Sequence, residues 1–432
     1  MAAVTEGSQR GRHRLTRPRQ GMRAMAGRLS WGLGDQAVSS LTNFAVGLYV
    51  ARSLGATAFG VFSLAWVTYG VIINVSRGLA TDPLMVRFSG VAADAWRTAT
   101  GRATGTALLV GVASGVLSVL AGLAIGGAIG LAFVGLGIVL PGLMLQDAWR
   151  FAFFASGHGR KAFINDVVWG IALAPAMLLA AKNGTVLGFV IAWGASGAVA
   201  AVFGGFQAGL LPRPSAALGW MRAQRDLSFR YLVENVSNSG ASQIKSYGLG
   251  AIAGLAAVGT VRGAELLQGP FQALLMGLSL VTVAEAARVL RKSGRRLWQF
   301  CLLLGAGQAA AALLWGMALL FLLPEWVGVH LLGSVWPGAS QLIVPTTFSV
   351  VGASFSTGAA SGLRALGQSK RSLRSQLFSS LLYASFALAG AAADGAVGAA
   401  WGTAAATLTG SILWWFQLRL GLRQYSAEMR TS

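Results

Sequence analysis

Cysteine, histidine and acid are scarce in this chain. Its 432 residues include one cysteine, Cys301, three histidines (His13, His158 and His330) and 13 acids. A single cysteine excludes an intramolecular disulfide and leaves no cysteine-based metal or redox centre. No histidine has a second ligand at metal spacing. Asp94, Glu325 and Asp394 stand alone in loops, where solvation is the ordinary role of an acid. No GxSxG elbow and no Walker-type phosphate loop is present. The chain is therefore not expected to be an enzyme, and neither a metal nor another cofactor is expected. No cleavable signal peptide is expected either, because the basic first 30 residues lack an apolar core with a small-residue cleavage site.

What the chain has in quantity is apolar residues, glycine and positive charge. Hydrophobic residues make up 55% and charged ones 11%, far from the composition of a soluble domain. Apolar runs recur at about 20 residues, the length that crosses a bilayer. About twelve are expected, over 31–51, 58–81, 103–126, 129–156, 163–182, 185–211, 229–254, 258–287, 297–323, 338–363, 372–393 and 396–420. Stretches such as 107–146 have almost none of the polar face that a soluble helix needs. The 59 glycines fit close helix packing in lipid. The expected fold class is an all-α polytopic membrane protein.

The positive charge has a pattern. Of 34 Lys and Arg, 28 fall in every second gap between apolar runs, while the alternate gaps hold only Arg52 and Lys182. The other four, Arg77, Arg150, Lys245 and Arg262, lie inside the runs. Such alternation is the positive-inside rule, and it expects both termini in the cytoplasm of a multi-pass protein. The net charge of +21 is thus a topology signal. Spread over seven loops it makes no nucleic-acid patch. Richness in Gly, Ala and Arg fits a GC-rich bacterial genome, hence a bacterial cytoplasmic (inner) membrane.

Residues 1–28 read as a disordered basic arm that can rest on anionic membrane lipids. The linker 212–228, with two prolines, divides six spans from six: an N-terminal lobe (29–211) and a C-terminal lobe (229–421), followed by a cytoplasmic tail (422–432). A faint repeat joins the lobes. At an offset of 199, Ala58-Phe59-Gly60-Val61 aligns with Ala257-Val258-Gly259-Thr260, and Asp35 with Glu234. At an offset of 210, the segment Ala155 to Lys161 aligns with Ala365 to Arg371. Prolines Pro141 and Pro345 are expected mid-helix in the fourth and tenth spans. Six spans per lobe keep both lobes in one orientation, a parallel pseudo-two-fold repeat of the kind many alternating-access transporters use.

Ionisable groups inside spans cost about 2.5–3.5 kcal/mol each at a helix centre, so each should meet a partner or a wet cavity. Four cations (Arg77, Arg150, Lys245, Arg262) are set against four acids (Asp35, Asp147, Glu234, Glu265). Asp147 with Arg150, and Arg262 with Glu265, can pair at i,i+3. Lys245 has no acid one turn away, so the deep unpaired charge reads as cationic. Asn43, Asn74, Asn238, Gln243, Gln268 and Gln272 concentrate polarity in spans one, two, seven and eight, and Pro270 should break the eighth helix. A hydrated cavity between the lobes is expected there; interhelical hydrogen bonding is the plainer account of the same residues. A cationic cavity suits an anionic headgroup such as a diphosphate. The expected contacts are Lys245, Arg77, Arg262 and Arg150. Asp35 and Glu234, with Glu265 and Asp147, are candidates for coupling to a Na⁺ or H⁺ gradient.

The stretch Ala51-Arg52-Ser53-Leu54-Gly55-Ala56-Thr57-Ala58-Phe59-Gly60-Val61-Phe62 resembles the first-loop signature of polysaccharide and O-antigen flippases. These belong to the multidrug/oligosaccharidyl-lipid/polysaccharide exporter superfamily. The basic turns at Gly157 to Lys161 and Gly367 to Arg371 are similar to that family's pattern. The resemblance covers most of residues 30–420. It implies a two-lobed alternating-access flippase that carries a polyprenyl-diphosphate-linked oligosaccharide across the membrane for surface polysaccharide assembly, beside other assembly proteins. The sequence departs from many relatives in reading Ser76-Arg77-Gly78-Leu79 where they have an acid. The alternatives are a cation-coupled drug antiporter of the same superfamily and a non-transporting scaffold for polysaccharide synthesis.

Overall fold

In a bilayer every backbone N–H and C=O must be satisfied within its own segment, so apolar runs of this length become helices. The computed structural model describes residues 18–431, except for the side chains of residues 18–30, 32, 33, 234, 236–238, 276–281, 283, 284 and 428–431. In chain order it has α1 (Pro18–Ser76), a π-helical turn (Arg77–Thr81), α2 (Asp82–Phe88), α3 (Ala93–Ile125), α4 (Gly127–Ala155), α5 (Gly159–Asn183) and α6 (Val186–Ala208). The linker contributes a 3-10 turn and α7 (Ala217–Ala223). The second half has α8 (Arg225–Ala253), α9 (Leu255–Leu267), α10 (Gly269–Leu290), α11 (Gly294–Phe321), α12 (Glu325–Leu332), α13 (Trp336–Gln341), α14 (Ile343–Ala365) and α15 (Ser369–Thr431).

Among the described residues, seven helical stretches are long and apolar enough to cross a membrane, and an eighth is a pair bent by 76°, Glu325–Gln341 with Ile343–Ala365. Two of the seven are of double length, Gly34–Phe88 with 55 residues and Ser369–Ala427 with 59. Each is broken midway, α1 at Gly55 and α15 at Asp394 and Gly395, so each crosses twice. α8 and the α9–α10 pair complete the twelve passes. They are less apolar because they carry the polar run from Glu234 to Lys245 and the Gln268–Gln272 segment.

The two halves repeat. Gly55 (φ 77°, ψ 170°) and Gly254 (φ 85°, ψ 172°) turn the chain between the first two spans of each lobe, a conformation glycine holds without a Cβ penalty. A Cβ on Gly60 would lie 1.9 Å from the Leu255 carbonyl oxygen, and one on Gly259 would lie 2.0 Å from that of Ala56. These four residues pair at the offset of 199, so the two approaches are one contact seen from either side of the pseudo-two-fold axis. The offset of 210 holds from the fourth to sixth spans and the tenth to twelfth. His158 N donates to Phe153 O at 2.9 Å, and Gln368 N to Leu363 O at 3.0 Å. Gly142 packs on Ala198 as Gly352 packs on Leu408. Lys161 donates to Gln207 O as Arg371 donates to Gln417 Oε1.

Some expectations change. Residues 18–28 of the expected disordered arm are helical, and residues 1–17 lie outside the described ones. Pro345 is the third residue of α14, where a helix has no use for its missing N–H, and not mid-helix; Pro141 is inside α4. Of the two tryptophans in the loop 324–337, Trp336 is 6% exposed and packs over Gly328, while Trp326 is 73% exposed. The helix does break before Pro270, but the freed Leu267 carbonyl accepts from Trp315 Nε1 at 3.1 Å and does not line a cavity. The linker docks on the N-terminal lobe, where Trp220 Nε1 donates to Leu79 O at 3.2 Å.

Candidate functional site

The buried charges fall into two clusters, one in each lobe. In the N-terminal lobe, Arg150 of α4 donates through Nη2 to Asp35 Oδ2 of α1 at 2.5 Å, and its Nε lies 3.3 Å from Asp166 Oδ2 of α5. Arg77, at the start of the π-helical turn, grips Asp147 of α4 in a fork, Nε to Oδ2 at 2.9 Å and Nη2 to Oδ1 at 2.7 Å. It also lies 5.0 Å over the Phe151 ring. Gln146 Nε2 donates to Asp166 Oδ1 at 2.9 Å and to Asn165 Oδ1 at 3.1 Å. The three carboxylates are 2–4% exposed and the Arg150 side chain 12%. Three acids face two guanidiniums, so the cluster carries one acid in excess. Asp35 Oδ1 is buried with no hydrogen-bond partner.

The second cluster lies in the C-terminal lobe, on α8 and α9, and faces the space between the lobes. Lys245 Nζ donates to Glu265 Oε1 at 2.5 Å, and Arg262 Nη1 donates to Glu265 Oε2 at 3.2 Å. Two cations here face one acid. They line a cavity of about 510 Å³ together with Asn43, Phe44 and Trp66 from the N-terminal lobe and Gln268, Gln272 and Tyr383 from the C-terminal lobe. Lys245 is buried, 5.2 Å over the Tyr383 ring. The Arg262 side chain is 36% exposed and keeps donors free towards the cavity. The lobes meet on one side of this space at Gly60 and Gly259, at the end opposite the basic loops.

The sequence-based set thus divides. Lys245 and Arg262 line the cavity. Arg77 and Arg150 do not, because acids on neighbouring helices engage them. The i,i+3 pair of Arg262 and Glu265 forms, whereas Asp147 and Arg150 approach only to 4.0 Å. Lys245, which the sequence leaves unpaired, is met by Glu265 from the next helix. Asn43, Gln268 and Gln272 line the cavity. Asn74 donates to Gly70 O and Ser239 Oγ, joining α1 to α8 as a helix–helix link, and Gln243 lies against Gly70 outside the cavity lining. The side chains of Glu234 and Asn238 lie outside the described ones. Asp166 is the residue the sequence balance omits. It stands near the start of its span, where an acid passes for a solvated helix end, and its neighbour Asn165 was the available signal. Among the described residues no group of three or more His, Cys, Asp or Glu is placed to hold a metal ion.

No protein-family model and no curated protein matches the sequence. Solved structures match the fold. An inward-facing multidrug resistance MATE family transporter of the MOP superfamily aligns over 91% of this chain and 96% of its own, at 14% identity and a TM-score of 0.65. The lipid II flippase MurJ in an inward closed conformation aligns over 89% and 86%, at 10% identity and a TM-score of 0.65. A MOP superfamily transporter from Pyrococcus furiosus, described by the reverse polarity of its binding pocket, aligns over 93% and 96% at 15% identity and a TM-score of 0.54. The chain has the two-lobed, all-helical membrane fold of these proteins.

Proposed function

We propose that this chain is an alternating-access flippase that moves a polyprenyl-diphosphate-linked oligosaccharide across the bacterial cytoplasmic membrane. The observation that carries the reading is the spare positive charge of the cavity between the lobes, Lys245 and Arg262 against Glu265. A diphosphate brings acceptors and negative charge, which a guanidinium fork and an ammonium recognise together. The fold shared with transporters, a lipid II flippase among them, supports the same reading.

The excess acid of the N-terminal cluster supports coupling to an ion gradient. Asp35, Asp147 and Asp166 against Arg77 and Arg150 leave one negative charge for a proton or Na⁺ to neutralise. The same excess favours a second reading, a cation-coupled drug antiporter, which the likeness to MATE structures also supports.

Flipping of a fluorescent polyprenyl-diphosphate oligosaccharide in proteoliposomes separates the two. Each charge-assisted contact contributes about 1.5–3 kcal/mol, so Lys245→Ala or Arg262→Ala should slow flipping at least tenfold. Asp166→Asn should leave substrate binding intact and remove the response to an imposed gradient. Wild-type protein that moves an organic cation but no lipid-linked glycan would establish the antiporter instead.

A further inference from the structure

Beside the charged cavity lies a second one of about 240 Å³, enclosed by α8, α14 and both arms of α15. It shares Ser242 and Tyr383 with the first, so the two adjoin. Its polar lining is Ser356, Gln376, Ser379, Ser380, Thr407 and Ser411, with Trp414 as an aromatic wall and no ionisable group except Tyr383.

Three of these hydroxyls direct their protons away from the space. Ser356 Oγ donates to Ala353 O at 2.7 Å, Thr407 Oγ1 to Ala404 O at 3.0 Å and Ser411 Oγ to Leu408 O at 2.7 Å. These three offer lone pairs to the space, while Gln376 Nε2 donates to Ser380 Oγ at 3.4 Å and leaves the Ser380 proton uncommitted. Ser379 Oγ is buried without a partner, a state that costs about 1–3 kcal/mol for a polar group. The chamber mixes acceptors and donors and holds no cation to offset the charge of a phosphate. It suits a neutral ligand rich in hydroxyls, with an apolar face for Trp414.

The repeat shows that this chamber is not a general property of the fold. At the offset of 210, Gln376 corresponds to Asp166, Ser356 to Gln146, Ser379 to Trp169 and Thr407 to Gly197. In the N-terminal lobe Trp169 is buried beside Gly197, its Nε1 donating to Ser196 Oγ at 3.0 Å, and the acids pair with Arg77 and Arg150. One lobe has filled and charged the space that the other has left open and neutral.

We infer that the C-terminal chamber is a saccharide subsite, which holds the first sugar of the glycan while Lys245 and Arg262 hold the diphosphate next to it. This inference rests on the flippase reading and extends it to a preference for a glycosylated over a bare diphosphate.

The test uses full-length protein in nanodiscs with two probes, a polyprenyl diphosphate that is bare and the same lipid carrying one N-acetylglucosamine. Wild type should bind both and prefer the glycosylated lipid about tenfold, the effect of one or two good hydrogen bonds. Ser379→Trp, which copies the filled lobe, should abolish the preference and leave affinity for the bare lipid unchanged. Thr407→Val, a smaller change that deletes one acceptor, should reduce the preference severalfold and guards against misfolding of the first variant. Equal affinity of wild type for the two probes, or a preference that survives in both folded variants, overturns the subsite while the diphosphate reading stands. A wild type that binds neither probe overturns both.

Discussion

Arg150 touches three carboxylates, and its role can be separated from theirs by substitution. Removing one partner of a buried ion pair typically costs about 3–5 kcal/mol, because the remaining charge is left without compensation. Arg150→Ala leaves Asp35 and Asp166 facing each other without a cation between them. Its thermal unfolding in detergent should fall by many degrees. Asp166→Asn removes the excess acid and keeps the hydrogen bond from Gln146, since the amide oxygen can still accept. That variant should melt at or above the wild-type temperature. Equal melting of Arg150→Ala and wild type would mean that the cluster is not an ionised network. The contrast is needed because a loss of transport in Arg150→Ala could follow from unfolding alone, whereas the same loss in a stable Asp166→Asn cannot.

At the scale of elements, the crossing of the second and eighth spans holds the lobes together at the end away from the basic loops. The crossing works because Gly60 and Gly259 have no side chain: an added methyl would sit 1.9–2.0 Å from a carbonyl oxygen of the other lobe. Gly60→Ala should pry this end open and shift the population towards the opposite-facing state. Spin labels placed on residues 53 and 256, in a background with Cys301 replaced, should report a longer separation in the variant. An unchanged distance would mean the closure is held elsewhere, for example where Gly333 packs on Arg52.

This crossing was legible in the sequence, since the Gly60 and Gly259 motifs align at the offset of 199. So were the turns after Gly157 and Gly367. Short-range spacing carried those features. The i,i+3 pair of Arg262 and Glu265 was legible too, but the pairing between helices was not, because Arg77 with Asp147 and Lys245 with Glu265 join different helices, and their meeting depends on how each helix is rotated about its axis. Sequence spacing fixes neighbours only within one helix. Lys245 looked unpaired for that reason, and the supposed surplus of deep cations resolved into one cationic and one acidic cluster.

For the whole molecule, the net charge of +21 is distributed by loop rather than by face. The cavity carries the spare cation of the C-terminal cluster, and the lobes close on one another at the end that holds only Arg52 and Lys182. If the basic end is cytoplasmic, the lobes meet at the outer end, and on the proposed flippase reading this arrangement would load substrate from inside the cell. On that reading, orientation decides the direction of transport. Cys301 is buried, so Lys182→Cys and Arg160→Cys, both at exposed positions, supply single reporters at the two ends. On intact cells a membrane-impermeant maleimide should label the first and not the second until the membrane is opened, as the charge asymmetry of the loops requires. The reverse pattern would turn the molecule over. The lobes would then meet at the inner end, and the proposed flippase would have to load its lipid from the opposite-facing state.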